Sequence, residues 1–114
     1  MIELKKEFKL KGTNYKQLYK DSQVVIYRIS RPSEDNSKEI VWYEVFKPCR
    51  KAPDIYHDDY YEKYPYDEAF GDWAWCCSNI DVVRKVLSHP TRGHFNFSIE
   101  ETNKILSICL PEQA

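Results

Sequence analysis

At 114 residues with 15% aromatic side chains, the chain is one folded domain's worth of sequence, long enough for a core and too aromatic for a disordered segment. No run approaches the roughly 18 apolar residues of a membrane span, and the opening MIELKKEFKL alternates charged and apolar residues instead of forming a secretory leader. A cytoplasmic protein is therefore expected. The net charge of −1 argues against a dedicated nucleic-acid binder but hides an asymmetry. Residues 1–31 carry eight basic and three acidic side chains, whereas residues 54–72 carry seven carboxylates and one cation, Lys63.

Taken in chain order, Ile2, Leu4, Phe8 and Leu10 alternate with charged residues, which predicts a half-buried strand over 2–11. KGTN follows as a turn in which Gly12 and Asn14 suit positive φ. Residues 15–20 form a weaker second strand. QVVIYRIS (23–30) is β-branched and aromatic, and residues 38–47 make the strongest strand, apolar on both faces. These two pair as a hairpin across the polar loop RPSEDNS. Apolar residues on both faces imply a central position, or a helix covering one face.

A long loop over 48–69 is punctuated by Pro48, Pro53 and Pro65. Loops of this length in small domains are often functional. The chain returns to a strand at 70–77, where Trp73 and Trp75 are expected to share one face beside Phe46. Ser78 caps a helix over 79–88 that Pro90 ends, and TRGHFNF connects to the next element. Ser98 with Glu101 forms a capping box for a helix over 99–109, ended by Pro111, with Ile99, Leu106 and Cys109 toward the core and Thr102 between them. The sum is an α+β fold: a single two-layer domain, residues 1–114, with an antiparallel sheet of about four to five strands followed by one or two helices. Cys49, Cys76, Cys77 and Cys109 contain no C-x-x-C pair and are expected to be reduced structural thiols.

The candidate site is the acidic, tyrosine-rich loop 54–72. Tyr56, Tyr60, Tyr61, Tyr64 and Tyr66 either pack onto the sheet or form a contact surface with Asp58, Asp59 and Glu62. Tyrosine gives large contact area at low entropic cost, and carboxylates select a basic partner. His57, Asp58, Asp59 and Glu62 offer oxygen and nitrogen donors, but without a turn glycine or EF-hand spacing no metal or cofactor is expected. The alternative site is the basic front. Lys5, Lys9, Lys11, Lys16 and Lys20 lie among Tyr15 and Tyr19, the two aromatics sharing a face if that segment is a strand. Lysines beside exposed tyrosines hold single strands by phosphate contact and stacking. Lysines studding an edge strand against aggregation give the same pattern. A third and remote reading is a thiol enzyme using Cys76 or Cys77 with His57, His89 or His94 as base. The expected function is thus a noncatalytic protein-interaction module, with an unidentified protein or a second copy as partner. Nucleic acid is the alternative partner, and no membrane is involved.

The run WYEVFKPCRKAP, then YP, then EAFGDWAWCCSNIDVVRKVL resembles short uncharacterised proteins of bacterial phages and mobile elements, especially of gut bacteria. The elements that match are Tyr43-Glu44-Val45-Phe46, Tyr64-Pro65, Phe70-Gly71 and Trp73-Ala74-Trp75, within about residues 41–88. The resemblance implies a bacterial or phage cytosolic origin and a packing motif, with no activity attached.

Overall fold

The computed structural model describes residues 1–89 and 95–110. The expected stops Pro90 and Pro111, residues 91–94 of the connector, and His94 lie outside the described residues. The fold is α+β. Five antiparallel strands form one sheet in the order β1 (Glu7–Leu10), β2 (Thr13–Lys20), β3 (Val25–Pro32), β4 (Glu39–Phe46) and β7 (Ala74–Cys77). A separate two-stranded ribbon, β5 (Arg50–Lys51) with β6 (Tyr61–Glu62), interrupts the chain between β4 and β7. Helices α1 (Ile80–Ser88) and α2 (Ile99–Cys109) follow. No helix among the described residues is long and apolar enough to cross a membrane.

Each strand of the meander alternates between two cores. On the helix side, Val24, Ile26, Tyr43, Val45 and Cys77 meet Val83, Val86 and Leu87 of α1 and Ile105, Leu106 and Cys109 of α2. On the other side, Val25, Tyr27, Ile29, Phe46 and Ala74 meet no α-helix among the described residues, and the long loop covers them through Tyr64, Ala69, Phe70 and Trp73. The loop is therefore a layer of the fold. The Tyr64 ring lies 5.1–5.7 Å from the rings of Phe8, Tyr15, Tyr27 and Phe46, edge-on to each. Its hydroxyl donates to Glu44 Oε1 at 2.6 Å, and Trp42 Nε1 donates to Glu44 Oε2 at 3.2 Å. The one carboxylate on this apolar face is thereby satisfied.

Several local expectations shift. The first strand begins only at Glu7; residues before it leave the sheet and Ile2 pairs in parallel with Tyr61 of β6, Ile2 N donating to Tyr60 O and Glu62 N to Ile2 O. Of its apolar series, Leu4 and Phe8 pack, while Ile2 and Leu10 stay exposed. The β1–β2 turn places Lys11 (φ 51) and Gly12 (φ 79) in the left-handed region, the two-residue hairpin geometry that matches strand twist, and Asn14 is already in β2. A bulge between Gln17 and Tyr19 breaks alternation in β2. Tyr15 consequently packs on the loop side and Tyr19 on the helix side, not on one face.

β7 starts at Ala74, after a tight turn in which Gly71 (φ 91) donates its N–H to Ala74 O. Trp73 therefore precedes the strand and lies 6.2 Å from Phe46, whereas Trp75 faces Phe95 on the helix side at 5.4 Å. Asn79, not Ser78, caps α1, its Oδ1 accepting from Val82 N at 3.0 Å. The Ser98–Glu101 capping box forms as expected. In α2 the buried stripe is Thr102, Ile105, Leu106 and Cys109, the 3–4 spacing of one helix face, which leaves Ile99 76% exposed.

Tyr64 is the keystone of the loop-side core. Tyr64→Ala is expected to destabilise the protein by about 3–5 kcal/mol, and Tyr64→Phe, which leaves Glu44 one donor short, by about 1–2 kcal/mol. Urea denaturation of the two variants checks both values and their order.

Candidate interaction surface

The loop splits into a part that lies down and a part that stands up. Ile55 and Tyr56 are 89% and 84% exposed, at the apex of a turn closed by paired backbone hydrogen bonds between Asp54 and His57. The Asp54 side chain organises this turn. Its Oδ1 accepts from Tyr56 N and contacts His57 Nδ1, both at 2.9 Å, and its Oδ2 accepts from the Tyr61 hydroxyl at 2.9 Å. The His57 and Tyr61 rings stack at 3.6 Å. Short Asx-type hydrogen bonds of this kind replace the missing regular backbone partners in a turn. The result is a firmly stapled apolar tip.

The expected contact residues fall into three groups. Tyr64 belongs to the core and Tyr61 to the base of the tip, so neither offers a free ring face. Glu62 is turned inward: its carboxylate accepts from Leu4 N and pairs with Lys20 Nζ. Asp59 caps Tyr60 N and pairs with the Met1 ammonium at 2.9 Å. Tyr56, Tyr60, Tyr66 and Asp58 remain exposed. Arg50 lies 4.5 Å over the Tyr60 ring and Lys63 3.9 Å over Tyr66, so these two rings already carry cations of their own chain. Asp67, Glu68 and Asp72 complete the exposed acidic rim. Ile55 was not among the expected residues. Its signal is present in the sequence: a lone aliphatic flanked by Asp54 and Tyr56 in an otherwise polar stretch has no periodic partners to bury it with.

The basic front is partly consumed. Lys20 reaches Glu3 and Glu62, and Lys16 lies 4.0 Å from Glu7. Lys5, Lys9 and Lys11 are exposed, Lys11 at the hairpin turn. Neither tyrosine of this region is an open stacking platform. Tyr15 stacks on Phe8 at 4.5 Å, and the Tyr19 hydroxyl donates to Asp21 at 2.7 Å. That hydrogen bond, followed by burial, pushes Tyr19 up to about 12.

The four residues weighed as metal donors are drawn apart by these pairings, and among the described residues no group of three or more His, Cys, Asp or Glu is placed to hold an ion. Cys77 and Cys109 are buried, Cys49 is half-buried and Cys76 exposed. Burial, then the nearby Glu44 carboxylate, pushes the Cys76 thiol upward, and burial takes Cys109 up to about 11. Activated cysteine nucleophiles move the other way. No family model matches the chain, and comparison with curated proteins and with solved structures returns no match.

Acid should release the tip. The hydrogen bond from His57, then those from Tyr56 N–H and Tyr61 OH, hold the Asp54 carboxyl down to about 2 from an ordinary 3.8. A carboxylate whose pKa is depressed by folding contributes order above its unfolded pKa and loses it as pH falls through the folded one. The Tyr56 amide resonance is therefore expected to keep its native position above pH about 4 and to collapse toward the random-coil value as pH falls to about 2. In Asp54→Asn the collapsed position should already be populated at neutral pH.

Proposed function

We propose that this chain is a noncatalytic protein-interaction module, cytosolic and of bacterial or phage origin, whose contact element is the Ile55–Tyr56 tip. The observation that carries this reading is the combination of near-complete exposure with a turn held from below by Asp54. Contiguous exposed apolar surface marks interaction sites, and the neighbours Ile55 and Tyr56 are the two most exposed large apolar side chains among the described residues. A tip already fixed in one conformation loses little entropy on docking, the preorganisation that tight contacts exploit. The partner that fits is a protein with an apolar pocket for Tyr56 and basic groups on its rim. Asp58 stands beside the tip, and Asp67, Glu68 and Asp72 add negative charge along the same loop.

The test is capture from a nuclease-treated bacterial lysate on the immobilised full chain, repeated with Ile55→Ser/Tyr56→Ser. A stoichiometric protein is expected on the parent chain, with at least ten-fold less on the double variant and an unchanged melting temperature. Retention by the double variant at parental levels would refute the assignment. A chain that captures nothing but sediments as a dimer, and as a monomer once the tip is replaced, would identify the partner as a second copy. A companion measurement addresses catalysis: Cys76 is expected to react with iodoacetamide at pH 7.5 no faster than free cysteine.

A further inference from the structure

The opposite face of the sheet carries a second feature, independent of the tip. Strand register sets two cross-strand rows on the helix side: Glu7, Lys16 and Arg28 in one, and Lys9, Asn14 and Ser30 in the next. Members of each row are directly opposite one another, and the rows are two residues apart, so all six side chains share one face. The Arg28 row continues to Tyr43, which is buried under the helices, so the patch begins where helix cover ends. These six residues line an open cleft of about 420 Å³.

Its electrostatics are unusual for a strand pair. Lys16 and Arg28 are cross-strand neighbours, and like charges in that relation repel. Glu7 lies 4.0 Å from Lys16, Glu39 takes Arg28 Nη2 at 3.0 Å, and the Arg28 guanidinium also donates to the Tyr43 hydroxyl; both carboxylates are mostly exposed. Arg28 Nε is buried and has no acceptor, an unmet donor of the kind that folded proteins rarely leave. Lys9 adds a third cation, and Asn14 and the buried Ser30 add neutral hydrogen-bonding groups.

We propose that this cleft binds a phosphate group. Three cations, an amide and a hydroxyl, with the Glu7 carboxylate at one side, line a space that holds a phosphate together with part of whatever bears it, so the cations outnumber the one acid of the lining. Lysine ammonium groups supply point charges for separate phosphate oxygens, and the guanidinium supplies a two-toothed edge, here the Nε–Nη2 side now shared incompletely with Glu39. The phosphate is either that of a small phosphorylated compound or one unit of a nucleic-acid backbone. Stacking plays no part in the second case, because Tyr15 is committed to Phe8.

The experiment is amide NMR of the labelled full chain at low salt, titrated separately with inorganic phosphate and with oligothymidylate. Saturable shifts are expected at Lys9, Asn14, Lys16, Arg28 and Ser30 with at least one of these probes. Arg28→Gln should weaken that binding at least ten-fold, Lys16→Gln several-fold, and Lys104→Gln on α2 not at all. If Arg28→Gln loses its dispersed spectrum, Lys16→Gln and Ser30→Ala decide the matter. Equal affinity for both probes assigns the site to small phosphorylated compounds. Much tighter oligothymidylate binding with a steep salt dependence assigns it to a nucleic-acid backbone. Shifts spread over unrelated lysines, no shifts with either probe, or folded cleft variants that bind like the parent would overturn the proposal.

Discussion

β3 and β4 put apolar side chains on both faces of the sheet, and the two helices cover only one of them. Left in water, Tyr27, Ile29 and Phe46 would forfeit about 25 cal/mol for every Å² of apolar surface. The segment from residue 48 to 73 meets that requirement, and its other properties follow from it. An irregular chain laid on an apolar face must satisfy its own backbone. The β5–β6 ribbon, the Ile2 bridge and the 3-10 turn Asp67–Ala69 each do so for a few residues. Pro48, Pro53 and Pro65 have no N–H to satisfy, and Pro65 is buried. Glu44, the carboxylate on this face, is met by Tyr64 from the loop and Trp42 from its own strand.

How far the sequence reveals this depends on periodicity. The main strands, both helices and the α+β class carry two- or 3.6-residue patterns and were legible within a few residues. The misplacements occur where a single residue resets the pattern. The bulge at Gln17–Tyr19 sends Tyr15 and Tyr19 to opposite faces, and the Gly71 turn separates Trp73 from Trp75. A bulge has no composition of its own, so nothing in TNYKQLYK announces it. Asn79 and Ser78 are both competent caps, and geometry chooses between them. The tyrosine-rich loop had two readings, packed or exposed, and the chain uses both. Tyr64, next to the buried Pro65, packs into the core, and Tyr56 is left outside. No periodicity distinguishes the two, because the loop has none.

The charge asymmetry has a structural meaning as well. Basic and acidic segments meet where the loop reaches the edge of the sheet: Lys20 with Glu62 and the Met1 ammonium with Asp59. Arg50 and Lys63 lie over Tyr60 and Tyr66. Exposed ion pairs contribute little each, but Glu62 and Lys20 are both half-buried and Glu62 also holds Leu4 N, so the pairing fixes where the loop sits.

What docking leaves over is sorted by the sheet itself. Carboxylates left outside, Asp58, Asp67, Glu68 and Asp72, belong to the loop layer, whereas Lys9, Lys16 and Arg28 share the helix-side face. Strand alternation keeps Lys9, Lys16 and Arg28 on that face, together with their partners Glu7 and Glu39. Exposed charges on opposite faces are screened from one another through solvent beyond about 10 Å at moderate salt. A basic partner at the tip and an anion in the cleft would therefore bind without competing. Coupling between them would have to cross the sheet through β2 and β3, which carry the cleft residues on one face and the loop-packing Tyr15, Tyr27 and Ile29 on the other.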